Sequence, residues 1–418
     1  MVTILRMQES HIHRRASGLV AEALEDTRVV LVTGPRQSGK TTLVQQFATP
    51  ARTYVTLDDK PTLKAAQDDP TGFIRALGSA VIDEIQHAPD LMLAIKVAVD
   101  IDKTPGRFLL TGSANVMALP TIGDSLAGRI ALVELMPLSQ SEIHGTSGHL
   151  IDRLFDGKRP TTDMPPVVGA ELRKIILDGG YPEARKRATA RRKAAWFADY
   201  LRLIIDRDAR DTANIGQLEQ LPILVAHLAE QAGSSVNISN LATSLKLSRQ
   251  TVARYVEALE RIFLVRSLRP WHSNKISRLV RTPKLLFFDS GLLAAQLGVA
   301  DLEPQRPLPA AGALFETFVH GELRKLIGWS EVRMTMYHFR TREGDEVDFV
   351  LEGPRGQIVG IEVKSSATLK RSDFSGLRKL EDAAGDKFIY GLLLHDHDRM
   401  TPHSERIMGA PLSWLWQV

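Results

Sequence analysis

Residues 34–41 read Gly-Pro-Arg-Gln-Ser-Gly-Lys-Thr, two glycines followed by a lysine and a hydroxyl. That pattern suits an anion carrying several charges. Glycines let the main chain curl so that successive N–H groups point inward at a phosphate. Lys40 would reach the β- and γ-phosphates, and the Thr41 hydroxyl would ligate Mg²⁺. The expected nucleotide-binding set is therefore Gly34, Pro35, Arg36, Gln37, Ser38, Gly39, Lys40, Thr41 and Thr42, with ATP and Mg²⁺ as cofactors.

A second set lies downstream. The apolar run "SAVIDEIQ" ends in Asp83-Glu84. Behind a phosphate loop, the first carboxylate holds the Mg²⁺ shell with Thr41 and the second polarises the attacking water. A solvated strand tip is the competing account of that pair. The run "GRFLLTGSANVM" ends in Thr111-Gly112-Ser113, and Ser113 stands where P-loop ATPases of the additional-strand class carry a small polar sensor of the γ-phosphate. Arg129, in "SLAGRI", is a candidate arginine finger. It would act in cis or on a neighbouring subunit's nucleotide, the second option requiring a homo-oligomer. A surface arginine is the alternative.

A third set is near the C-terminus. Asp348 lies on the strand-like "DEVDFVLEG", and Glu362 and Lys364 lie on "QIVGIEVKSS". Adjacent antiparallel strands bring alternate residues to one face, so these three side chains are expected together. Two carboxylates would hold a hard cation that polarises a phosphodiester, with Lys364 near the attacking water. Glu316 or Glu322, on the preceding helix, would complete the metal shell. The competing reading is a fold retained as a binding platform without cleavage.

These residues need particular elements behind them. A strand over Val29–Thr33 and a helix opening at Lys40 must flank the loop. Residues 236–269 predict a helix-turn-helix: Ser239 caps the first helix, Leu247-Ser248 turns the chain, and Ser248 caps the second. Val252, Tyr255, Val256 and Leu259 then form its buried face. Arg249, Gln250 and Arg254 fall at the exposed start of the second helix, where a recognition helix contacts DNA. The following "RSLRPWHSNKISRLVRTPK" reads as a basic wing. The alternative use of such a unit is as an internal joint between domains. "AAWFADYLRLIIDRDARDTANI" is amphipathic at helical spacing, its charges (Asp206, Arg207, Asp208, Arg210, Asp211) reading as a solvated face rather than a nucleotide contact. The Gly/Pro/Thr-rich "HGTSGHLIDRLFDGKRPTTDMPPVV" before it reads as a lid or linker.

The chain of 418 residues is long enough for several domains. The divisions expected are a P-loop ATPase domain at 1–145, a lid and helical arm at 146–230, a winged helix at 231–285 and a nuclease-like domain at 286–418. The fold class is α/β: a P-loop ATPase sheet with helical arm, winged helix-turn-helix and a C-terminal α/β restriction-endonuclease-like domain. With no cysteine, disulfides, thiolate zinc sites and cysteine nucleophiles are excluded. The net charge of +4 is too mild to argue for nucleic acid by itself. No apolar run approaches a membrane span, the N-terminal stretch is too short and charged for a secretory signal, and cytoplasm is the expectation.

Taken in order, "TGPRQSGKTTL", "VIDEIQ", "LLTGSAN", "LAGR", "LMPLS", "GGYPEA", "RDARDTANI" and "LFFDSGLLAAQLG" resemble prokaryotic AAA-type P-loop ATPases of the archaeal-ATPase-like family. Those proteins carry a C-terminal domain of unknown function (DUF4143) of PD-(D/E)xK nuclease-like type. The resemblance covers nearly the whole chain and implies an ATPase core, a winged-helix region and a nuclease-like C-terminal fold, without a substrate. The expected function is an ATP-hydrolysing switch or motor that acts on DNA. An ATP-licensed, metal-dependent DNA endonuclease and a signalling-type ATPase scaffold with a protein partner are the alternatives.

Overall fold

The computed structural model describes residues 12–112, 126–209, 219–272, 282–302, 310–366 and 368–418. The expected sensor Ser113, Arg210 and Asp211 of the arm, and residues 273–281 of the expected wing lie outside them. The N-terminal part is built on five parallel strands: β1 (Val29–Thr33), β2 (Thr53–Thr56), β3 (Ala80–Asp83), β4 (Phe108–Gly112) and β5 (Ile130–Glu134). They stand in the order β2-β3-β4-β1-β5. β1, β3 and β4 are buried along their whole length, which is why they read as unbroken apolar runs rather than alternating ones. β4 is the additional strand between the phosphate-loop strand and the Asp83 strand.

Alternate residues of these strands feed opposite faces. Val29, Leu31, Ile82 and Leu110 pack on one side, Val30, Val32, Val81 and Leu109 on the other. The covering helices are α1 (Ala16–Asp26), α2 (Lys40–Gln45), α3 (Lys60–Asp68), α4 (Pro70–Leu77) and α5 (Leu91–Ile101). Each of α3 and α4 begins with a proline in its first two positions behind a capping aspartate. Asp59 accepts from the Thr62 N–H and Asp69 from the Gly72 N–H.

Past β5, Ser139 and Glu142 form a reciprocal capping box that starts α6 (Gln140–His144), followed by α7 (Leu150–Phe155). The segment expected as a lid or linker includes α7 and runs beside the last residues of the chain. Thr162 Oγ1 donates to the Gln417 carbonyl (2.9 Å), the Val167 N–H to Ser413 Oγ (3.1 Å) and the His149 N–H to the Val418 carbonyl (2.7 Å). It is clipped to the far end of the chain rather than laid over the phosphate loop.

The arm comprises α8 (Gly169–Asp178), α9 (Pro182–Arg185) and α10 (Ala190–Ile204), the last capped by Thr189 and burying Phe197, Tyr200, Leu201 and Ile204. Then come α11 (Gln220–Glu230), α12 (Ile238–Leu245), α13 (Arg249–Arg261) and an antiparallel ribbon of β6 (Val265–Leu268) and β7 (Lys284–Phe287). Ser248 caps α13, as expected. Ser239 does not cap α12. Asn237 Oδ1 accepts from the Ser239 and Asn240 N–H groups at 2.9 and 3.2 Å, so Ser239 lies inside the first turn. Ile238 packs against the core and starts the helix two residues earlier than a Ser239 cap would.

The C-terminal part has α14 (Ser290–Gln296), α15 (Ala310–Trp329), β8 (Thr335–Arg340), β9 (Glu346–Glu352), β10 (Ile358–Lys364), α16 (Ser375–Ala384), β11 (Phe388–His395), β12 (Thr401–Pro402), β13 (Ile407–Pro411) and α17 (Trp414–Gln417). The sheet order is β12-β13-β11-β10-β9-β8. β8, β9 and β10 form an antiparallel meander, and α16 crosses over to put β11 parallel to β10. One apolar cluster runs from Met136 through the arm and the helix-turn-helix to Val418. The three regions after the first sheet therefore share a core. No helix among the described residues is long and apolar enough to cross a membrane.

Candidate active site

β1 ends at Thr33, and the chain curls at once. Gly34 has φ of 147°, and a Cβ there would lie 2.2 Å from the Leu135 carbonyl oxygen, so only glycine fits. Gly39, at φ 98°, leads into α2, whose first residue is Lys40. The buried Lys40 ammonium donates to the Gly34 and Pro35 carbonyls, each at 3.0 Å. It is held against the loop it would share with a phosphate. The Ser38 hydroxyl is buried with no hydrogen-bond partner among the described residues. Gln37, exposed, takes the left-handed conformation at φ 60°, and Thr42 is exposed on α2. A cation, a curled backbone and an unmatched buried hydroxyl fit a bound polyanion such as a nucleotide triphosphate.

Asp83 closes the other side. Its carboxylate accepts from Thr41 Oγ1 (3.0 Å), from the Tyr54 hydroxyl (3.0 Å) and from Thr111 Oγ1. Thr111 Oγ1 also accepts the Glu84 N–H at 3.0 Å, so one hydroxyl bridges both acidic residues. Glu84 is left-handed at φ 60°, a conformation costing a side-chain-bearing residue about 1–3 kcal/mol. The Gln86 amide donates to its carboxylate. Thr41 and Asp83 are thus adjacent oxygen donors of the kind a hard cation takes, and bound Mg²⁺ would supply charge neutralisation between phosphates. Burial, then Asp83, pushes the Tyr54 phenol up.

Arg129 lies elsewhere. It immediately precedes β5, at the opposite end of the parallel sheet from the phosphate loop. Five strand residues separate the two edges, about 16 Å. The guanidinium makes a bidentate pair with Asp100 of α5, at 2.5 and 3.1 Å, and that hydrogen bond holds the Asp100 carboxyl below its ordinary value. The cis role is therefore lost: within one chain the side chain starts on the wrong edge.

Two contacts carried no sequence signal. Arg14 is buried and donates to the Ser38 carbonyl (2.6 Å), the Met136 carbonyl (2.6 Å) and Glu142 (3.1 Å), bolting the phosphate loop to the segment after β5. Tyr200 of α10 donates to the Arg36 carbonyl at 3.3 Å, so the arm touches the loop through this tyrosine.

The C-terminal trio is brought together, with company. Ile361 pairs with Phe349 across β10 and β9, which sets Glu362 beside Asp348. The Asp348 N–H donates to Glu362 Oε2 (3.3 Å), the Val363 N–H to Asp348 Oδ2 (2.9 Å), and Lys364 to Glu362 Oε1 (2.7 Å). The unforeseen member is Lys284, the first residue of β7. Its ammonium lies 2.8 Å from Asp348 Oδ1, 2.7 Å from Glu316 Oε2 and 3.1 Å from Glu346 Oε1. Although burial opposes its charge, these carboxylates hold Lys284 protonated well above the ordinary lysine range. Burial, then Asp348, pushes Glu316 up to about 8 and raises Glu362 well above its usual value. Among the described residues no group of three or more His, Asp or Glu side chains is arranged to hold a metal ion. Glu322 is not a candidate for this shell. It accepts from the Gln140 N–H (2.9 Å) and from Lys325 (2.7 Å), joining α15 to α6.

Arg249, Gln250 and Arg254 are exposed on the first turns of α13, while Val252, Tyr255, Val256 and Leu259 are buried. Arg254 extends along Tyr255, 6.0 Å from its ring centre.

Comparison with known proteins bears on each region. Residues 26–144 match the AAA domain family. Residues 169–303 match one domain of unknown function (DUF8612), spanning most of the arm and the helix-turn-helix together, and residues 311–415 match another (DUF4143). An uncharacterized protein of Mycobacterium tuberculosis is 31% identical over 400 residues, covering 95% of this chain and 83% of its own length, as is one of Mycobacterium bovis. Among solved structures, a Walker-type ATPase of Pyrococcus abyssi covers 69% of this chain and 97% of its own at 16% identity, with a TM-score of 0.37. AMPPCP-bound DnaA from Aquifex aeolicus covers 60% and 90% at 12% identity, with a TM-score of 0.31.

Proposed function

This chain belongs to a family of P-loop ATPases that join an AAA domain to a C-terminal DUF4143 domain, and from that premise we propose that it is an ATP-driven switch acting on DNA through a winged helix. ATP and Mg²⁺ are bound by the loop from Gly34 to Thr42 with Asp83, and Glu84 polarises the water. The observation that carries the reading is the shared network of Lys40, Thr41, Asp83, Thr111 and Glu84 at the ends of adjacent strands.

The route from nucleotide to DNA is short. Tyr200 touches the Arg36 carbonyl and the Tyr181 hydroxyl (2.9 Å), and α10 packs on α14. Asp289, which caps α14, accepts from the Gly180 N–H at 2.7 Å, and β7 lies immediately before it in the chain. A shift of the loop on hydrolysis would thus be felt at the ribbon behind α13. DNA would meet Arg249, Gln250 and Arg254 at the exposed start of α13.

Arg129 acts on the nucleotide of a neighbouring subunit in a homo-oligomer. Supporting this, α5, which holds Arg129 through Asp100, exposes an apolar stripe of Leu93, Val97 and Ile101. Such a stripe is unusual on a surface with nothing to cover it.

The test is ATP turnover with and without duplex DNA in Mg²⁺, the same samples then run on a gel. Turnover that changes with DNA and leaves the DNA intact supports the switch. DNA cut in step with turnover supports the endonuclease reading, for which the helix, three strands, helix, strand order and the neighbouring Asp348, Glu362 and Lys364 speak. Turnover indifferent to DNA, with no binding, favours the scaffold with a protein partner.

A further inference from the structure

Resting on the DNA reading above, we propose that the start of α10 is a second duplex-binding surface, one that grips the phosphate backbone and stands on the helix that reaches the ATPase loop. Residues 183–193 read "EARKRATARRK", six cationic side chains against one carboxylate. That is an excess of five positive charges in eleven residues, where the whole chain has an excess of four. A net charge too mild to argue for nucleic acid over the whole molecule is thus concentrated in one place, and there it does argue for a polyanion.

The local carboxylates do not neutralise it. Glu183 is shared by Lys186 at 2.9 Å and Arg187 at 3.8 Å, and Asp178 by Lys193 and by Lys174 of α8 at 3.1 Å. Arg191 and Arg192 are exposed and have no ion pair among the described residues. Both lie in the first turn of α10, whose own N–H groups already make that end positive. Cations gathered there repel one another and the helix dipole unless an anion sits among them. The surface suits phosphate better than protein. None of the exposed large apolar side chains among the described residues belongs to this stretch, so the apolar and aromatic anchors that hold most protein partners are missing. Only the small, exposed Ala188, Thr189 and Ala190 separate the two basic clusters. A phosphate backbone needs charge alone. Arginines outnumber lysines four to two here, and the planar guanidinium pairs with phosphate through two bonds.

The same helix leads to the nucleotide. Arg192, Trp196 and Tyr200 recur every fourth residue and share one ridge of α10. Trp196 stacks on Tyr200 with ring centres 5.1 Å apart, and Tyr200 donates to the Arg36 carbonyl at 3.3 Å. At the helical rise, Arg192 stands about 12 Å along the axis from Tyr200. A duplex gripped at the start of α10 therefore bears on a helix that touches the phosphate loop, and it alters ATP turnover without passing through α13.

The test measures binding of the full chain to one labelled duplex by fluorescence anisotropy across a salt series. The proteins are wild type, Arg191→Glu/Arg192→Glu, Arg191→Lys/Arg192→Lys and Arg249→Glu/Arg254→Glu. Glutamate in the first turn favours the helix dipole, so the first variant should fold as wild type does and keep its ATP turnover without DNA. Its affinity at about 0.1 M salt should fall by roughly 10-fold or more, and its salt slope should shallow by about one unit per lost phosphate contact. Any change of turnover that DNA causes in wild type should shrink with it, while the lysine variant stays near wild type. Wild-type affinity and slope in the glutamate variant would overturn the inference and leave DNA binding to α13. Loss in the glutamate variant with normal binding by Arg249→Glu/Arg254→Glu supports the inference and takes α13 out of the DNA reading. A wild type that binds no duplex removes both. Binding of labelled polyglutamate that needs Arg191 and Arg192, with duplex binding unchanged by their loss, assigns the surface to an acidic protein and also overturns the inference.

Discussion

Lys40→Ala takes away the one ammonium that the Gly34 and Pro35 carbonyls hold in the loop, so ATP affinity should fall sharply in a fluorescent-nucleotide titration. Equal affinity in wild type and variant would remove the loop from the account. Glu84→Gln keeps the shape and the Thr111 contact of the main chain but loses the base. Binding should persist while turnover drops by roughly 10²-fold or more. Arg14→Ala removes the buried ion pair with Glu142 and leaves that carboxylate the Arg15 and Ser139 N–H groups alone. The ATPase domain should lose about 3–5 kcal/mol by denaturant titration. Much of this site was legible because its residues are consecutive: the loop and Asp83-Glu84 are read directly along the chain. Arg14, Tyr54 and Tyr200 were not, because each reaches the site from a separate element and single residues carry no spacing.

At the level of elements, α13 and the C-terminal sheet each make a measurable claim. Reversing charge at Arg249 and Arg254 should weaken duplex binding and shallow its salt dependence by about one unit of slope per lost phosphate contact. ATP binding should not change. A double variant that binds normally would make α13 an internal joint. In β11, His395 is buried with both ring nitrogens unpartnered among the described residues, and burial, then the neighbouring His397, lowers its pKa to about 4. The unfolded chain takes up that proton near the ordinary histidine value of about 6.5, so stability present above that pH is lost as pH falls toward 4. The thermal midpoint should decline over that window, and His395→Phe should flatten the decline. Helices and strands were legible where apolar spacing was regular, as in α10 and β1. The cap of α12 was not, because "NISN" offers Asn237 and Ser239 as equally good caps, and only the packing of Ile238 decides between them.

Over the whole molecule, the linear order of regions was readable, but the contacts between them were not. Lys284 reads as one basic residue among many in a wing, yet it is buried against carboxylates from two other elements. Arg129 reads as a finger acting in cis or on a neighbour's nucleotide, and the parallel sheet sets it on the edge away from its own phosphate loop. If it serves a neighbour, specific ATPase activity should rise with protein concentration, and Arg129→Ala should flatten that rise without weakening ATP binding. Constant specific activity at all concentrations would leave Arg129 only its pair with Asp100. The central claim is that the nucleotide held by Lys40 and Asp83 sets what α13 does on DNA, and linkage makes that claim reciprocal. The most direct test is the affinity of the full-length Glu84→Gln variant for one labelled duplex, at fixed salt, with ATP and with ADP. A difference of about 5-fold or more, absent when Lys40→Ala is added, is the result predicted. Equal affinity in the two nucleotide states would contradict it.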